Sequence, residues 1–406
     1  MALFPNTPNQ SGSTNITDVI IVGAGPAGLS FASSIADTGL NIVIVEKNNQ
    51  EVISNPAYDG REIALTHVSK RIMQDIGMWQ RIDPQEIHTL KDASVLDGHS
   101  PYQLYFATAN VPFGQSVANL GYLISNHLIR KAAYQVAISH PNIDIRYGHG
   151  VNKVFNHDHG VRVILDNDDS LEGKLLVVAD SRFSTTRRHL GITADSYDFG
   201  RSMIVCRMSH TYSNHQRAVE CFYYGVTLAL LPLSDTITNC VITVKNQDAD
   251  ALMGLSDAQF AKKVQGYANN ELGEMTLISS RHIYPLVGVH ANRFISTRTA
   301  VIGDAAVGMH PVTAHGFNLG LHGVHTLSKQ VKKAVRLKQD IGNHESLRRY
   351  ERQHMLLTRP MYHGTNAMVK LFTTDNKPAK LARTMVLRVS NNLTPLKALI
   401  TKQLTG

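Results

Sequence analysis

The run Asp18-Val-Ile-Ile-Val22, followed at once by Gly23-Ala-Gly25-Pro-Ala-Gly28, leaves this chain few folds to choose from. The apolar residues read as a short buried strand, and Pro26 to Thr38 as a helix with small residues on its inner face. The first glycine makes the tight turn, the second lets backbone approach a pyrophosphate, and the third lets helix and strand pack closely. An anion then sits on the helix N-terminus, where free amides and the dipole favour negative charge. A second apolar strand, Asn41 to Glu46, completes a βαβ unit and ends on an acid placed to accept hydrogen bonds from a ribose diol. Gly23, Gly25, Ala27 and Gly28 are the candidate pyrophosphate contacts, and Glu46 with Lys47 beside it the candidate ribose contacts. An acid rather than an arginine there favours an unphosphorylated adenosine ribose, hence FAD or NAD rather than NADP. Glycine turns alone would be weak; strand, glycines, helix, strand and acid in that order are specific.

The 406 residues suffice for two or three lobes, and a chain 43% hydrophobic and 18% charged is globular. Val19 to Ala36 is uncharged, but its glycines and proline fit the turn better than a membrane span. Met1 to Thr17 is polar, without the basic start and apolar core of a secretory leader, and reads as a disordered tail. Cys206, Cys221 and Cys240 form no CxxC pair, which suits a reducing cytoplasm and gives no support to a metal.

Ser69 to Ile76 and Ser125 to Ile138 read as helices; Asp144 to Tyr147, Val161 to Leu165 and Leu175 to Val178 read as strands of the same lobe. Asp92 to Ala118 and Arg201 to about Lys245 alternate strand-like runs without long helices between them. The expected class is α/β: a discontinuous Rossmann-like lobe (18–91, 119–200 and 282–340) with an inserted mixed β-sheet substrate domain (92–118 and 201–281). Residues 341–406 form a basic, helical C-terminal region.

Arg298-Thr-Ala-Val-Ile-Gly303-Asp304 repeats the logic of strand then glycine–acid turn, and leads through His310-Pro311 to Ala314-His315-Gly316-Phe317-Asn318-Leu319-Gly320 and a helix. This second motif, about 280 residues after the first, resembles that of the single-component flavin aromatic hydroxylases. The resemblance covers nearly the whole chain. It narrows to the ubiquinone-biosynthesis hydroxylases on Tyr58-Asp-Gly60-Arg61-Glu-Ile-Ala-Leu65, Leu228-Ala-Leu-Leu-Pro232-Leu-Ser-Asp235, Tyr284-Pro285-Leu286 and Pro395-Leu-Lys-Ala-Leu399. Within that group it looks most like the demethoxyubiquinol-hydroxylating or multi-position branch.

The resemblance implies an FAD-binding domain of the aromatic-hydroxylase type. Gly303 and Asp304 would hold FAD hydroxyls, and the helix start at Gly316, Asn318 and Leu319 would face the flavin pyrimidine, its dipole stabilising the anionic reduced ring. Pro311 would lie over the ring, offering a carbonyl but no proton. Arg61 matches an arginine near the pyrophosphate, and Asn126 a polar cofactor contact. Pro311, His315 and Gly316 are the candidate catalytic residues.

Two positions depart from the family pattern. Ser181 follows Asp180 where the family has glycine, so a turn needing positive φ would be strained. The family uses this segment for FAD and for the nicotinamide donor. The reductant is therefore NAD(P)H or a protein electron donor, with O₂ as co-substrate. His315 stands where glutamine is usual; both can donate to a flavin carbonyl, but histidine also titrates near neutrality.

The resemblance further implies that a flavin C4a-hydroperoxide hydroxylates the electron-rich ring of a polyprenylated phenol or quinol. Val226 to Leu233 and the segment around Phe113 are expected to form the pocket. From Lys329 to Gly406 sixteen lysines and arginines face four acids, although the whole chain is only +8. Leu371 to Leu404 alternates apolar and basic positions at helical spacing, which fits a peripheral site on an anionic inner-membrane surface, reached from the cytoplasm. A solvated basic face is the plain alternative. No aromatic platform marks a nucleic-acid partner. No metal-ligand spacing appears, His322 and His325 included. A reductase of isoprenoid double bonds and a non-catalytic FAD-bound scaffold within a ubiquinone-biosynthesis complex remain alternative functions for the same fold.

Overall fold

The computed structural model describes residues 15–98, 103–107, 118–223, 225–310 and 315–373. The opening unit forms as expected: strand Val19–Val22, helix Pro26–Ile35 with a 3-10 turn to Thr38, and strand Ile42–Glu46. Both strands are buried throughout, because helices or strands cover both faces. They lie side by side in a six-stranded sheet ordered Ile295–Ser296, Thr299–Val301, Leu175–Val178, Val19–Val22, Ile42–Glu46, Ile143–Tyr147. Every neighbouring pair is parallel except the outermost, at Ile295–Ser296. Helix Pro26–Ile35 packs against helices Asn126–Ala137 and His315–Arg336.

Gly160–Leu165 lies outside that sheet. It joins Val151–His157, Ser170–Gly173 and Asn15–Ile16 in a separate four-stranded sheet. Part of the segment expected to be a disordered tail is paired: Asn15 and Ile16 run parallel to Leu171 and Glu172. Thr17 is buried and donates to the Asn41 carbonyl at 2.7 Å. Pairing of this kind is made by backbone, so a polar composition does not exclude it.

The inserted region is one large sheet running Val307–Gly308, His282–Ala291, Ala194–His210, Ile237–Lys245, Thr227–Ser234, Arg217–Phe222, Asp92–Asp97, Gln103–Ala107, with Met275–Leu277 at its side. It is mixed: Arg217–Phe222 runs parallel to Asp92–Asp97, and the other neighbours are antiparallel. It reaches further than expected. Ala194–Gly200 and His282–Ala291 were placed with the Rossmann-like lobe, yet are hydrogen-bonded within this sheet. One of its faces is filled by Ile204, Met208, Leu230, Ile242 and Phe260, under helices Asn246–Met253 and Asp257–Tyr267.

A small sheet of Glu62–Leu65, Gly121–Ser125 and His88–Leu90 lies between the two larger ones. Here Arg207 of the large sheet reaches Glu62 at 2.7 Å and the Ser125 hydroxyl at 2.6 Å. Burial drives the Glu62 carboxyl upward, and Arg207 offsets only part of that effect. The chain continues through the paired helices His315–Arg336 and His344–Thr373. The basic stretch beyond Thr373, the Pro395 ending and the segment around Phe113 lie outside the described residues. No described helix is long and apolar enough to cross a membrane.

Candidate functional site

The two glycine–acid turns meet. Gly303 has φ +60°, and a Cβ built on it would lie 2.6 Å from the Ala27 Cβ. Gly23, at φ +104°, would place a Cβ 2.5 Å from the Ala179 carbonyl oxygen, and one on Gly28 would lie 2.0 Å from the Gly23 oxygen. Gly23 and Gly28 are glycine because backbone passes where a side chain would stand, and Gly303 because the Ala27 side chain does. Gly25 and Gly316 differ, since a Cβ on either meets nothing within 4 Å. Open space therefore lies beside each of them. Helix Pro26–Ile35 has no side-chain cap and no acid in its first turn, and helix His315–Arg336 no acid either. The N-terminus of helix Pro26–Ile35 thus remains available to negative charge.

Glu46 is buried at the end of its strand. One carboxylate oxygen accepts from the Ala24 amide at 2.7 Å, and the other from the Asn48 backbone and side chain at 2.8 and 2.6 Å. Its first action is to fix the glycine loop, with lone pairs left for a further donor. Lys47 is exposed.

Asp180 sits under Gly23. Its Oδ2 accepts weakly from the Thr186 amide at 3.4 Å, while Oδ1 is buried without a partner among the described residues. An orphaned buried acceptor beside an open cradle fits a hydroxyl-bearing cofactor. Ser181 has no positive φ, so the strain expected at this turn does not arise. The next residues instead bind the second motif: Arg187 donates to the Ala305 carbonyl at 2.7 Å, and Arg182 pairs with Asp304 at 3.0 Å and donates to the Val287 carbonyl at 2.8 Å.

Arg61 and Asn126 come together, and the residue that joins them is one the sequence did not single out. Asp59 accepts from Arg61 at 2.6 Å and from the Asn126 side chain at 2.7 Å. Burial works to raise the Asp59 carboxyl, but the Arg61 and Asn126 contacts outweigh it and hold it below the usual range. Arg61 also lies over the Tyr284 ring, 5.1 Å from its centre, and the Tyr284 hydroxyl donates to the Asp59 carbonyl.

Asn318 spans back to Glu62–Leu65, donating to the Ala64 carbonyl at 2.8 Å and accepting from the Thr66 amide at 3.1 Å. Its side chain fixes where the helix begins. Leu319 is buried, and His315 is half-buried as the first helical residue. Pro311 lies outside the described residues. His310, just before it, is buried edge-on to Phe199. Burial, then the charges of Arg201 and Arg182, push its ring down to about 4 and keep it neutral. No group of three metal-ligating side chains occurs among the described residues.

The FAD binding domain family matches residues 16–358, most of the chain. The ubiquinone hydroxylase UbiM of Neisseria meningitidis is 52% identical over 96% of this chain and 85% of its own length. The chain belongs to the FAD-dependent ubiquinone-hydroxylase family. Another member, the ubiquinone hydroxylase UbiL of Rhodospirillum rubrum, is 30% identical over 98% of this chain and 92% of its own. The family's wider fold is shared with p-nitrophenol 4-monooxygenase of Pseudomonas putida: TM-score 0.76 at 16% identity, over 97% of this chain and 99% of that one.

Proposed function

We propose that this chain hydroxylates the aromatic ring of a polyprenylated phenol or quinol in ubiquinone biosynthesis, with FAD as its cofactor, O₂ as co-substrate and NAD(P)H or an electron-transfer protein as reductant. The observation that carries the reading is the contact of Gly303 with Ala27, which joins two separated turns into one cradle for an extended dinucleotide. The names of the UbiM and UbiL relatives support the substrate class.

When bound, FAD supplies the redox and oxygen-transfer chemistry. The chain's residues bind, orient and exclude water. The amides of Gly25, Ala27 and Gly28 hold the pyrophosphate with Arg61, which Asp59 and Asn126 keep in position. Glu46 takes the adenosine ribose; Asp180 and Asp304 take hydroxyls of the chain leading to the flavin. The helix start at Gly316 stabilises negative charge at the pyrimidine end. His315 donates a hydrogen bond there, and Pro311 keeps the reacting face free of proton donors. The basic C-terminal region holds the protein against anionic headgroups, where a prenylated substrate resides.

The test is the quinone-lipid profile of a strain lacking the gene. Accumulation of a precursor short of a ring hydroxyl is expected, and an unchanged profile overturns the reading.

A further inference from the structure

The large sheet turns one face towards the cofactor lobe, and that face carries a carboxyl the site above does not employ. Register fixes its surroundings. Val205 pairs with Val241, Val241 with Ala229, Ala229 with Glu220, Glu220 with Val95, and Val95 with Leu104. Paired residues stand side by side on one face, so these form a row across the sheet, apolar except for Glu220. Ala218 and Phe222 share the face along Glu220's own strand.

The row begins at the cofactor lobe. A Cβ on Gly60 would lie 2.8 Å from Val205, and Asn239 on the same face donates to the Gly60 carbonyl at 2.8 Å. Glu220 lies three strand spacings further on, about 14 Å along the row. Leu104, Phe106, Phe222 and Phe372 close its far end. The other face of the same strand, with Val219, packs into the core behind the sheet, so Glu220 is no part of that core.

Glu220 is half-buried, and its side chain has neither hydrogen bond nor ion pair with a described residue. Desolvation alone pushes its carboxyl up to about 8. Asp97, Arg207, Arg201 and Lys245 share the face; His88 and Glu62 lie on the small sheet packed over it, and Lys370 near the end of the C-terminal helix. None of them contributes to that rise. An apolar row with one unpaired carboxyl suits a ligand that is itself apolar except for a hydroxyl.

We infer that Glu220 is the general base that takes the proton from the ring hydroxyl of the substrate. The inference rests on the hydroxylase reading above. The phenolic O–H bond breaks and an O–H bond forms at a Glu220 carboxylate oxygen. The electron pair stays on the substrate oxygen and delocalises to the ortho and para carbons, which an electrophilic oxygen then attacks. A carboxyl titrating close to working pH is a stronger base than an ordinary one.

The test uses the full-length, FAD-loaded protein, reduced with dithionite and mixed with oxygenated buffer and a phenol bearing a short prenyl chain. Single-turnover hydroxylation is followed across pH. In the wild type the rate is expected to rise through a limb near 8. Glu220→Gln should flatten that limb and slow the reaction about 100-fold with unchanged FAD content, and Glu220→Asp should recover part of the rate and the limb. A Glu220→Gln rate within about twofold of wild type, with the limb intact, overturns the inference. Wild-type protein that reoxidises without hydroxylating the phenol removes the hydroxylase reading, and the inference with it.

Melting provides a second arm. A raised carboxyl contributes stability below its unfolded pKa that is lost as pH rises through about 8, so Glu220→Gln should melt above wild type at alkaline pH and lose that advantage in acid. Parallel melting curves would overturn the desolvated-carboxyl premise directly.

Discussion

The cofactor cradle and the floor of the large sheet are specified in different ways. In the cradle, the requirements fall on short motifs: Gly23 and Gly28 vacate space for backbone, and Glu46 at the end of the next strand ties down Ala24. On the floor nothing is local. Val205, Val241, Ala229, Glu220, Val95 and Leu104 become neighbours only through strand register. A motif can specify where a cofactor lies, whereas the surface that receives a substrate emerges from pairing across the chain.

The harshest way to break the comparison is at the joint between the regions. Arg207→Ala leaves Glu62, whose side chain is 0% exposed, without its counter-charge. Removing one partner of a buried pair costs about 3–5 kcal/mol, which a urea melt reads as a lower midpoint. Loss of under about 1 kcal/mol would mean that the joint is solvated.

Gly303→Val tests the cradle itself. Positive φ and the 2.6 Å approach to Ala27 both oppose a side chain, at about 3 kcal/mol together. FAD affinity should fall about 100-fold, measured by flavin absorbance after dialysis against graded FAD. Unaltered affinity would separate the two turns. Asp59→Ala is milder: freeing Arg61 and Asn126 should weaken FAD about tenfold without unfolding the chain, at about 1.4 kcal/mol.

The smallest effect concerns the helices behind the cradle. His354 is buried, with Nδ1 3.4 Å from Nδ1 of His322, and burial pushes it down to about 3 and His290 to about 4. Unfolded, each titrates near ~6.5 and so binds more protons than the native state in mild acid. Their stabilising share is present above ~6.5 and is lost as pH falls towards these lower values. The melting temperature should drop below about pH 6, and less so in His354→Gln. Equal slopes would refute the neutral pair.

The opening βαβ unit was legible because turn, close approach and terminal acid are each demanded by local geometry. The start of helix His315–Arg336 was legible from its glycine, but the use of Asn318 to anchor Ala64 and Thr66 was not, since those partners stand about 250 residues earlier. Distance in sequence also hid Asp59, which sits next to named residues yet joins Arg61 to Asn126, 67 positions later. Ser181 misled in the opposite sense. It replaced an expected glycine, yet the turn took an ordinary φ and Arg182 crossed to Asp304. The strand Ala194–His210 crosses the expected boundary at 200/201, and its hydrogen-bonding partner His282–Ala291 joins the large sheet with it.

The most direct measurement is a single turnover of the dithionite-reduced, FAD-loaded protein with heavy-isotope dioxygen and a short-chain prenylated phenol. One heavy oxygen atom in the recovered ring is the expected result. A ring without label, or a prenyl tail with a reduced double bond, would contradict ring hydroxylation on this cradle.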